Sequence, residues 1–343
     1  NPVTGEHTWM WRVRVEGDIE SAGLRPAIEP AFVDYQRQHF VRPPLAQGTL
    51  TDNLIWQVRS GHPSAGMWVP EAVGITTEAI HFVRDPHGLL AIYEVPVEGA
   101  HYTMGADEGT GVSGGNPQGA IVLRRGAKCL VATRYFGNPD QSAYMQDLIR
   151  LGWFYNCAWM NPEQSSVSSK FCTDLAGSDL GHPRYPRLYH FNKPGGYSDI
   201  KPVPGYPMDC TPAKEYMLAC VNAALRPTVP GDMETVPTIV PDYLVLEDCD
   251  GASRDEKDIV HYARVPQGSF VRHGELLVAF GLACIAHLAA DQCPLPFDVP
   301  RAPAHPHGPS ARATDWLTDL ARQPRPDEWE RVDTSTWDTV RFG

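Results

Sequence analysis

The run of residues 102–111 constrains the fold of this chain most, because a strand-like pattern there ends in an acid and then breaks into glycine. In its first six residues Thr103, Gly105 and Asp107 fall on one face and the residues between them on the other, which is typical of a β-strand. An acid among small residues on a central strand is costly to bury unless it is paired or binds a metal. The alternative is an acid that caps the turn before Gly109. The presence or absence of other acids near Asp107 separates these two interpretations.

Length and composition set the limits of the prediction. A chain of 343 residues has room for one large or two modest domains with a real core. The net charge of -12 argues against a general polyanion binder, so a nucleic acid would need a local basic face. The eight cysteines have no CxxC spacing and form no zinc-like set with histidine, so we expect reduced thiols in the core. The sequence contains no signal peptide and no apolar run of membrane-spanning length.

The residues that follow the first run predict a sheet and then a crossover. Residues 119–124 and 128–134 read as strands that follow 102–107 through short turns, which predicts an antiparallel meander. A fourth strand is predicted at 156–160, with Glu163 just past its end. The helices are predicted at residues 31–39, 139–152, 165–176, 211–225 and 273–290, and 242–247 is either a strand or a short helix.

Two other parts of the chain are predicted from their turn residues. Segments 80–83 and 89–94 are predicted as short strands of a hairpin around the turn at 85–88. Proline is frequent after residue 293, where one short helix at 314–322 stands alone. The predicted regions are an N-terminal linker or accessory segment at 1–70, the main domain at 71–292 and a proline-rich tail at 293–343 that contains the short helix.

Three strands, a helix, a fourth strand and later helices are the element order of an RNase H-like α/β fold, which has a mixed β-sheet flanked by helices. In such a fold the opening and fourth strands lie side by side, so Asp107 and Glu163 are expected to approach each other. A late helix should supply a third acid, and Glu275 in the first turn of the apolar helix is the candidate. The alternatives are a surface acid at Glu163 and a partner of the helix dipole at Glu275.

Three carboxylates placed close together would repel each other and raise each other's pKa. Divalent cations remove that conflict, and carboxylate oxygens with water suit Mg²⁺ or Mn²⁺. Two such ions about 3.5–4 Å apart can activate a water and stabilise the leaving oxygen of a phosphodiester. The acids therefore predict a site for two divalent cations that serves phosphodiester hydrolysis.

Several short motifs stand around these acids in a fixed order. They are Gly88 to Pro96, Tyr102 to Gly111, Leu151 to Asn156, Pro162-Glu163, Tyr185 to Tyr189, Gly205 to Pro207 with Thr211 to Lys214, and His273 to Ala279. In order and spacing they resemble the nuclease domain of the large terminase subunit of tailed bacteriophages, over residues 88–290. The resemblance implies a metal-dependent endonuclease that cuts concatemeric viral DNA at the start and end of packaging.

The resemblance also implies roles for individual residues. Asp107 and Glu163 take the first two acidic positions. Glu275 takes the second Asp of a His-Asp-Asp element, Gly274 stands where the first would be, and His273 would contact a ligand carboxylate. One acid is therefore missing from the pattern. Further departures are Asn116, where an Asp is frequent, and the stretch Gln164-Ser-Ser-Val-Ser after the second acid.

Basic residues and partners follow from the same resemblance. Arg184, Arg187, Lys193 and Lys201 would flank the site and hold DNA phosphates without reading bases. A second basic group on the meander contains Arg124, Arg125, Lys128 and Arg134, and ordinary solvated surface is the alternative for both groups. The expected partners are double-stranded DNA, a portal and a small terminase subunit in the host cytoplasm, with no membrane. The tail either docks on the portal or the small subunit, or its helix packs back onto its own domain.

No GxxxxGK[ST] phosphate loop occurs in these residues, so a packaging ATPase is expected in the same full-length subunit or in a separate chain. Because the chain begins with Asn1, we expect it to be a portion of a longer product. Two other functions stay open at this point. One is a different RNase H-like nuclease of the resolvase or integrase type. The other is a weakened nuclease fold that serves as a docking module of the packaging machine.

Overall fold

The computed structural model describes residues 24–52, 56–58, 68–70, 80–109, 117–165, 168–177, 185–192, 202–267 and 270–290. The strands in this part of the chain are β1 (Arg25–Pro26), β2 (Ala46–Asp52), β3 (Trp56–Val58), β4 (Trp68–Pro70), β5 (Ile80–Arg84), β6 (Leu90–Ile92), β7 (Tyr102–Asp107), β8 (Gln118–Arg124), β9 (Cys129–Gly137), β10 (Trp159–Gln164), β11 (His190–Asn192), β12 (Pro202–Pro204), β13 (Tyr206–Pro207), β14 (Thr238–Ile239), β15 (Ala252–Arg254), β16 (Val260–Tyr262), β17 (Val265–Gln267) and β18 (Phe270–Arg272). The helices are α1 (Pro30–His39), α2 (Gln141–Phe154), α3 (Ser169–Ala176), α4 (Thr211–Leu225), α5 (Tyr243–Asp250) and α6 (Glu275–Ala289), with a 3-10 turn at Met233–Thr235. The predicted tail lies outside the described residues, as does the glycine-rich turn predicted at 109–115 except for its first residue.

The main sheet is mixed and has the strand order β13-β10-β7-β8-β9-β6-β2-β5, with β14 added to β9. Strands β7, β8 and β9 form the predicted antiparallel meander. Strand β10 lies parallel to β7 and β13 parallel to β10. A parallel neighbour needs a crossover connection, and α2 lies in the connection from β9 to β10. The predicted mixed sheet and its first four strands are therefore confirmed.

The predicted hairpin between residues 80–83 and 89–94 is wrong. Both segments contain strands, but β2 lies between β5 and β6 and pairs with each of them antiparallel. The turn itself has the predicted chemistry, since Asp85 accepts the N–H of His87 at 2.9 Å. The turn at 85–88 therefore connects two strands that are not neighbours in the sheet, because β2 lies between them. The boundary predicted at residue 70 falls between β2 and β5, which belong to the same sheet.

Helices cover both faces of the sheet around β7. On one face the Thr103 hydroxyl donates to the Ala283 carbonyl of α6 at 3.1 Å. On the other face the Tyr102 ring meets Tyr155, which follows α2, with ring centroids 5.0 Å apart. Helix α6 is apolar around most of its circumference and is buried, because α4 and α5 pack on the side away from the sheet. Because side chains alternate along β7, its odd-numbered residues contact α6 and its even-numbered residues face α2.

Polar residues and proline mark the helix starts that the sequence predicts. Asp140 accepts the Ala143 N–H at 2.9 Å at the start of α2. Pro212 lies in the first turn of α4, where a missing N–H does no harm. Residues 242–247, which were ambiguous in sequence, begin α5 behind the capping side chain of Asp242.

None of the helices in the described part of the chain is long and apolar enough to span a bilayer. The described cysteines form no disulfide, and all of them except Cys210 are buried.

Gly105 allows α6 to lie directly on β7. A Cβ at this position would lie 1.9 Å from the Ala279 carbonyl and 2.4 Å from the Ala283 N–H, both rigid backbone groups. Gly105→Ala is therefore expected to lower the free energy of unfolding by about 3 kcal/mol in urea titrations. Gly281→Ala is the matched control, because a Cβ there meets the side chains of Met217 and Val221 and no backbone group, and alanine gains helix propensity. Equal losses in the two variants would contradict this packing argument.

Candidate functional site

The parallel register of β7 and β10 brings the first two predicted acids together. Ala106 pairs with Pro162, so the next residues along the two strands, Asp107 and Glu163, are neighbours at the same sheet edge. Glu163 lies inside β10 and not past its end as predicted. The strand starts later than the sequence indicated because Asn156 and Cys157 adopt positive φ angles of 55° and 56° and extend the turn after α2.

The packing of α6 on the sheet places Glu275 at the same edge. Thr103 and Gly105 on β7 meet Ala283 and Ala279 on α6, one helical turn apart. Two strand residues advance about 6.6–6.8 Å and four helix residues about 6 Å. The next pair in this series is Asp107 and Glu275.

A second contact locates the start of α6. A Cβ on Gly119 would lie 3.2 Å from the Glu275 carbonyl. Gly119 is the partner of Asp107 on β8. The first turn of α6 therefore lies over the end of β7.

The environment of Asp107 opposes its ionisation. Its side chain is 8% exposed. Burial raises the pKa of Asp107 well above its usual range, and the charge of Glu163, with which it shares a hydrogen bond, adds to the effect, as does the charge of Glu275. Burial and two neighbouring acids therefore act together against the charged form of Asp107.

Glu275 is held by its neighbours on one side only. One carboxylate oxygen accepts the backbone N–H of His273 at 2.6 Å. The other oxygen is buried and has no hydrogen-bond partner among the described residues. Burial raises the pKa of Glu275, and the bond from His273 acts in the opposite direction. The predicted role of His273 beside a ligand carboxylate stays a prediction, and the contact seen here is made by its backbone and not by its imidazole ring.

Glu108 is a further acid at this edge, and sequence reasoning did not single it out. Burial raises the pKa of Glu108 to about 8, against a hydrogen bond from Gln141, and the charges of Glu163 and Asp174 raise it further. One of its oxygens is buried without a partner among the residues described. Its place directly after Asp107 was the only sequence signal for it.

Gly274 has a conformation that a larger residue would strain. Its φ is 91°, in the left-handed region that favours glycine. A Cβ on Gly274 would also lie 2.7 Å from the ring of Tyr262 on β16. Both the positive φ angle and the Tyr262 ring therefore disfavour an acidic side chain at position 274, where the sequence has glycine.

Two tyrosines that sequence reasoning missed lie at this edge. The Tyr144 hydroxyl lies 2.9 Å from the Asp107 carbonyl and 2.7 Å from the Gly119 carbonyl, so it ties the ends of β7 and β8 to α2. The Tyr262 hydroxyl is buried and has no hydrogen-bond partner within the described part of the chain. Burial raises the pKa of Tyr262, and the charges of Asp107 and Glu163 add to this effect. No local sequence pattern distinguishes either tyrosine.

The donor chemistry of the acids fits a hard divalent cation, because all of the side-chain donors are carboxylate oxygens. Within the described ranges, however, no group of three or more His, Cys, Asp or Glu side chains is arranged to hold a metal ion. A cation at this edge would be held mainly by Asp107 and Glu163. Glu275 would add its oxygen that has no partner among the described residues.

Of the four basic residues predicted to flank the site, Arg187 alone lies within the described residues, and Arg184, Lys193 and Lys201 lie outside them. Arg187 donates to the Cys157 carbonyl at 2.9 Å and so stabilises the turn before β10. Arg264 is exposed, and its charge contributes to the lowered pKa of His273, of which burial is the main cause.

The basic group on the meander is not an open surface. Arg134 is bound to Asp242 and is largely buried. Arg124 pairs with Glu94, and Lys128 donates to the Glu234 carbonyl at 2.9 Å. Arg134 therefore serves an internal ion pair, which neither DNA binding nor solvated surface had predicted, and the meander offers fewer free cations to a nucleic acid.

The five-strand order β13-β10-β7-β8-β9, with one antiparallel meander and two parallel additions, defines an RNase H-like fold.

No protein-family model matches the chain, and no curated protein matches it. Among solved structures it is similar to the large terminase nuclease from thermophilic phage G20c, with 14% identity over 58% of this chain and 89% of that one and a TM-score of 0.39. The same nuclease with bound magnesium matches at 13% identity, 59% and 89% coverage and a TM-score of 0.41. The Thermus phage P74-26 large terminase nuclease domain matches at 13% identity, 59% and 88% coverage and a TM-score of 0.40.

Proposed function

We propose that this chain is a metal-dependent endonuclease that hydrolyses phosphodiester bonds of double-stranded DNA. The observation that supports this function most is that the buried Asp107 and its neighbour Glu163 lie side by side at the ends of parallel strands, where the charge of Glu163 opposes ionisation of Asp107. Two adjacent acids that repel each other weaken a fold when ionised. A divalent cation between them converts that repulsion into binding, which gives the pair a chemical purpose.

The side chains at this edge would divide the work. Asp107 and Glu163 would hold the cations, and Glu275 would contribute its partnerless oxygen while the His273 N–H fixes the other one. Tyr144 would keep the end of β7 in place through the Asp107 carbonyl. Two bound Mg²⁺ or Mn²⁺ ions supply an activated water and stabilise the leaving oxygen.

DNA would approach this edge through basic side chains that neutralise phosphates. Arg184, Arg187, Lys193 and Lys201 are the candidates from sequence, and the exposed Arg264 beside His273 is added by its position. Such contacts position the duplex without reading its sequence. Binding would then weaken steeply as salt rises.

The order of the sequence motifs favours a terminase-type nuclease over other enzymes of this fold. Its substrate would be concatemeric viral DNA in the host cytoplasm. Its partners would be a portal, a small terminase subunit and a packaging ATPase, the last in the same full-length subunit or in a separate chain. A strict preference for four-way junctions over ordinary duplex would instead point to the resolvase or integrase type.

A docking module with a weakened nuclease site is the second candidate, and two observations favour it. Gly274 and Tyr262 leave no room for an acid before Glu275. The described residues also contain no ready set of three metal donors. Such a module would keep the fold and bind partners without cutting DNA.

The deciding experiment incubates the protein with supercoiled plasmid at graded Mn²⁺ or Mg²⁺ concentrations and follows nicked and linear products on gels. Cleavage that requires the cation and stops with a chelator supports the nuclease. If no product forms at any cation concentration with folded protein, the enzyme is ruled out and the docking module is the better description.

A further inference from the structure

The hydroxyl group of Tyr262 is buried, and the described residues offer it no hydrogen-bond partner. A buried donor left without an acceptor costs about 1–3 kcal/mol. A phenylalanine would fill the same space without that cost. The hydroxyl therefore calls for an acceptor that is brought by another molecule.

The position of the Tyr262 ring is fixed by the start of α6. The ring lies against Gly274, at 2.7 Å from where a Cβ would be, and it occupies the space that any side chain at 274 would need. Gly274 directly precedes Glu275 and is the residue at which α6 begins. Strand β16 is itself held by β15, where Tyr262 pairs with Ala252. An aromatic residue from a distant strand thus stands beside the third acid.

The ring lies against Gly274, the residue before Glu275. Burial raises the pKa of Tyr262, and the charges of Asp107 and Glu163 add to this effect. A carboxylate at this place would add one more negative charge to a site that already holds several. A phenol adds a neutral O–H donor, because tyrosine ionises only near pH 10 in water. The nonbridging oxygens of a phosphodiester are negatively charged acceptors that suit such a donor.

We propose that the Tyr262 hydroxyl donates a hydrogen bond to a nonbridging oxygen of the phosphodiester that is bound over Asp107 and Glu163. This inference rests on the nuclease function proposed above and names a further residue that contacts its substrate. The donor would stabilise the charge that grows on the phosphate as the bond breaks.

Tyr262→Phe tests the contact, because it removes the hydroxyl and keeps the ring on Gly274. We expect kcat/KM for Mn²⁺-dependent plasmid nicking to fall about 100-fold, as when one preorganised donor is lost from a charged transition state. The melting temperature should stay equal or rise, since an unsatisfied donor is removed. Tyr243→Phe is the matched control, since that tyrosine is 42% exposed on α5, and its nicking rate should not change.

Phosphorothioate substrates separate a direct contact from a structural effect. Sulfur is a poor hydrogen-bond acceptor, so short duplexes with all-Rp or all-Sp phosphorothioate linkages remove the acceptor on one side at a time. The rate ratio of wild type to Tyr262→Phe should be about 100 on ordinary DNA and should approach one on a single diastereomer. An equal ratio on all three substrates overturns the contact, as does full activity of Tyr262→Phe in an active protein. An inactive wild type overturns the nuclease and this inference together.

Discussion

Asp107→Asn is expected to abolish metal-dependent nicking and at the same time to stabilise the metal-free protein. Loss of a carboxylate that holds the cation should lower the rate about 1,000-fold or more, because even groups outside the ligand set matter 10–100-fold at metal sites. The stability should rise because asparagine removes a buried acid that burial, Glu163 and Glu275 all oppose in its charged form. A rise in melting temperature of about 2–4 °C corresponds to 1 kcal/mol for a chain region of this size.

The pH dependence of this stability difference has a definite sign. Because the pKa of Asp107 is raised in the folded state, the folded protein holds its proton over a pH range in which the unfolded chain has lost it. The wild type therefore loses stability as pH rises from the ordinary aspartate pKa of 3.8 through the raised value. Asparagine does not titrate, so the advantage of the variant should be smallest near pH 4 and grow towards neutral pH.

Thermal unfolding over a pH series, with and without Mn²⁺, measures both parts of this prediction. Addition of Mn²⁺ should raise the melting temperature of the wild type and leave that of Asp107→Asn unchanged. The stability advantage of the variant should therefore shrink or reverse when Mn²⁺ is present. A variant that loses activity and also loses stability at every pH would instead identify Asp107 as a structural acid. In that case the cluster would lose its main support as a functional site.

The sequence was sufficient for the parts of the site that depend on local pattern and element order. Gly105 and Asp107 share a face because a strand alternates its side chains, and this needs no knowledge of the rest of the chain. The approach of Glu163 to Asp107 followed from the order of the strands. The start of β10 did not, because the left-handed residues Asn156 and Cys157 carry no glycine signal.

The features that were missed depend on contacts between distant parts of the chain. The insertion of β2 between β5 and β6 is decided by pairing across the sheet, and the turn at residues 85–88 looks the same in either arrangement. Tyr262 reaches the acid cluster only because β16 is placed beside Gly274. Arg134 resembled a surface cation in sequence because its partner, Asp242, lies more than a hundred residues further along the chain.

Asp242→Ala is expected to cause the largest loss of stability, about 3–5 kcal/mol, because it breaks a buried ion pair on one side only. One oxygen of Asp242 accepts the Tyr93 hydroxyl at 2.6 Å and Arg134 Nε at 2.5 Å. The other oxygen caps α5 through the Leu244 N–H at 2.7 Å. Alanine would leave the Arg134 charge buried without this carboxylate and the helix start uncapped at once.

Asp140→Ala provides the control, because Asp140 also caps a helix but is exposed and has no recorded ion pair in the part of the chain that is described. Its loss should be about 1 kcal/mol, the ordinary value for a helix cap. Urea titrations of the two variants at neutral pH, with unchanged m-values, would measure the difference. If Asp242→Ala lost no more than Asp140→Ala, the buried pair with Arg134 would add nothing beyond the cap.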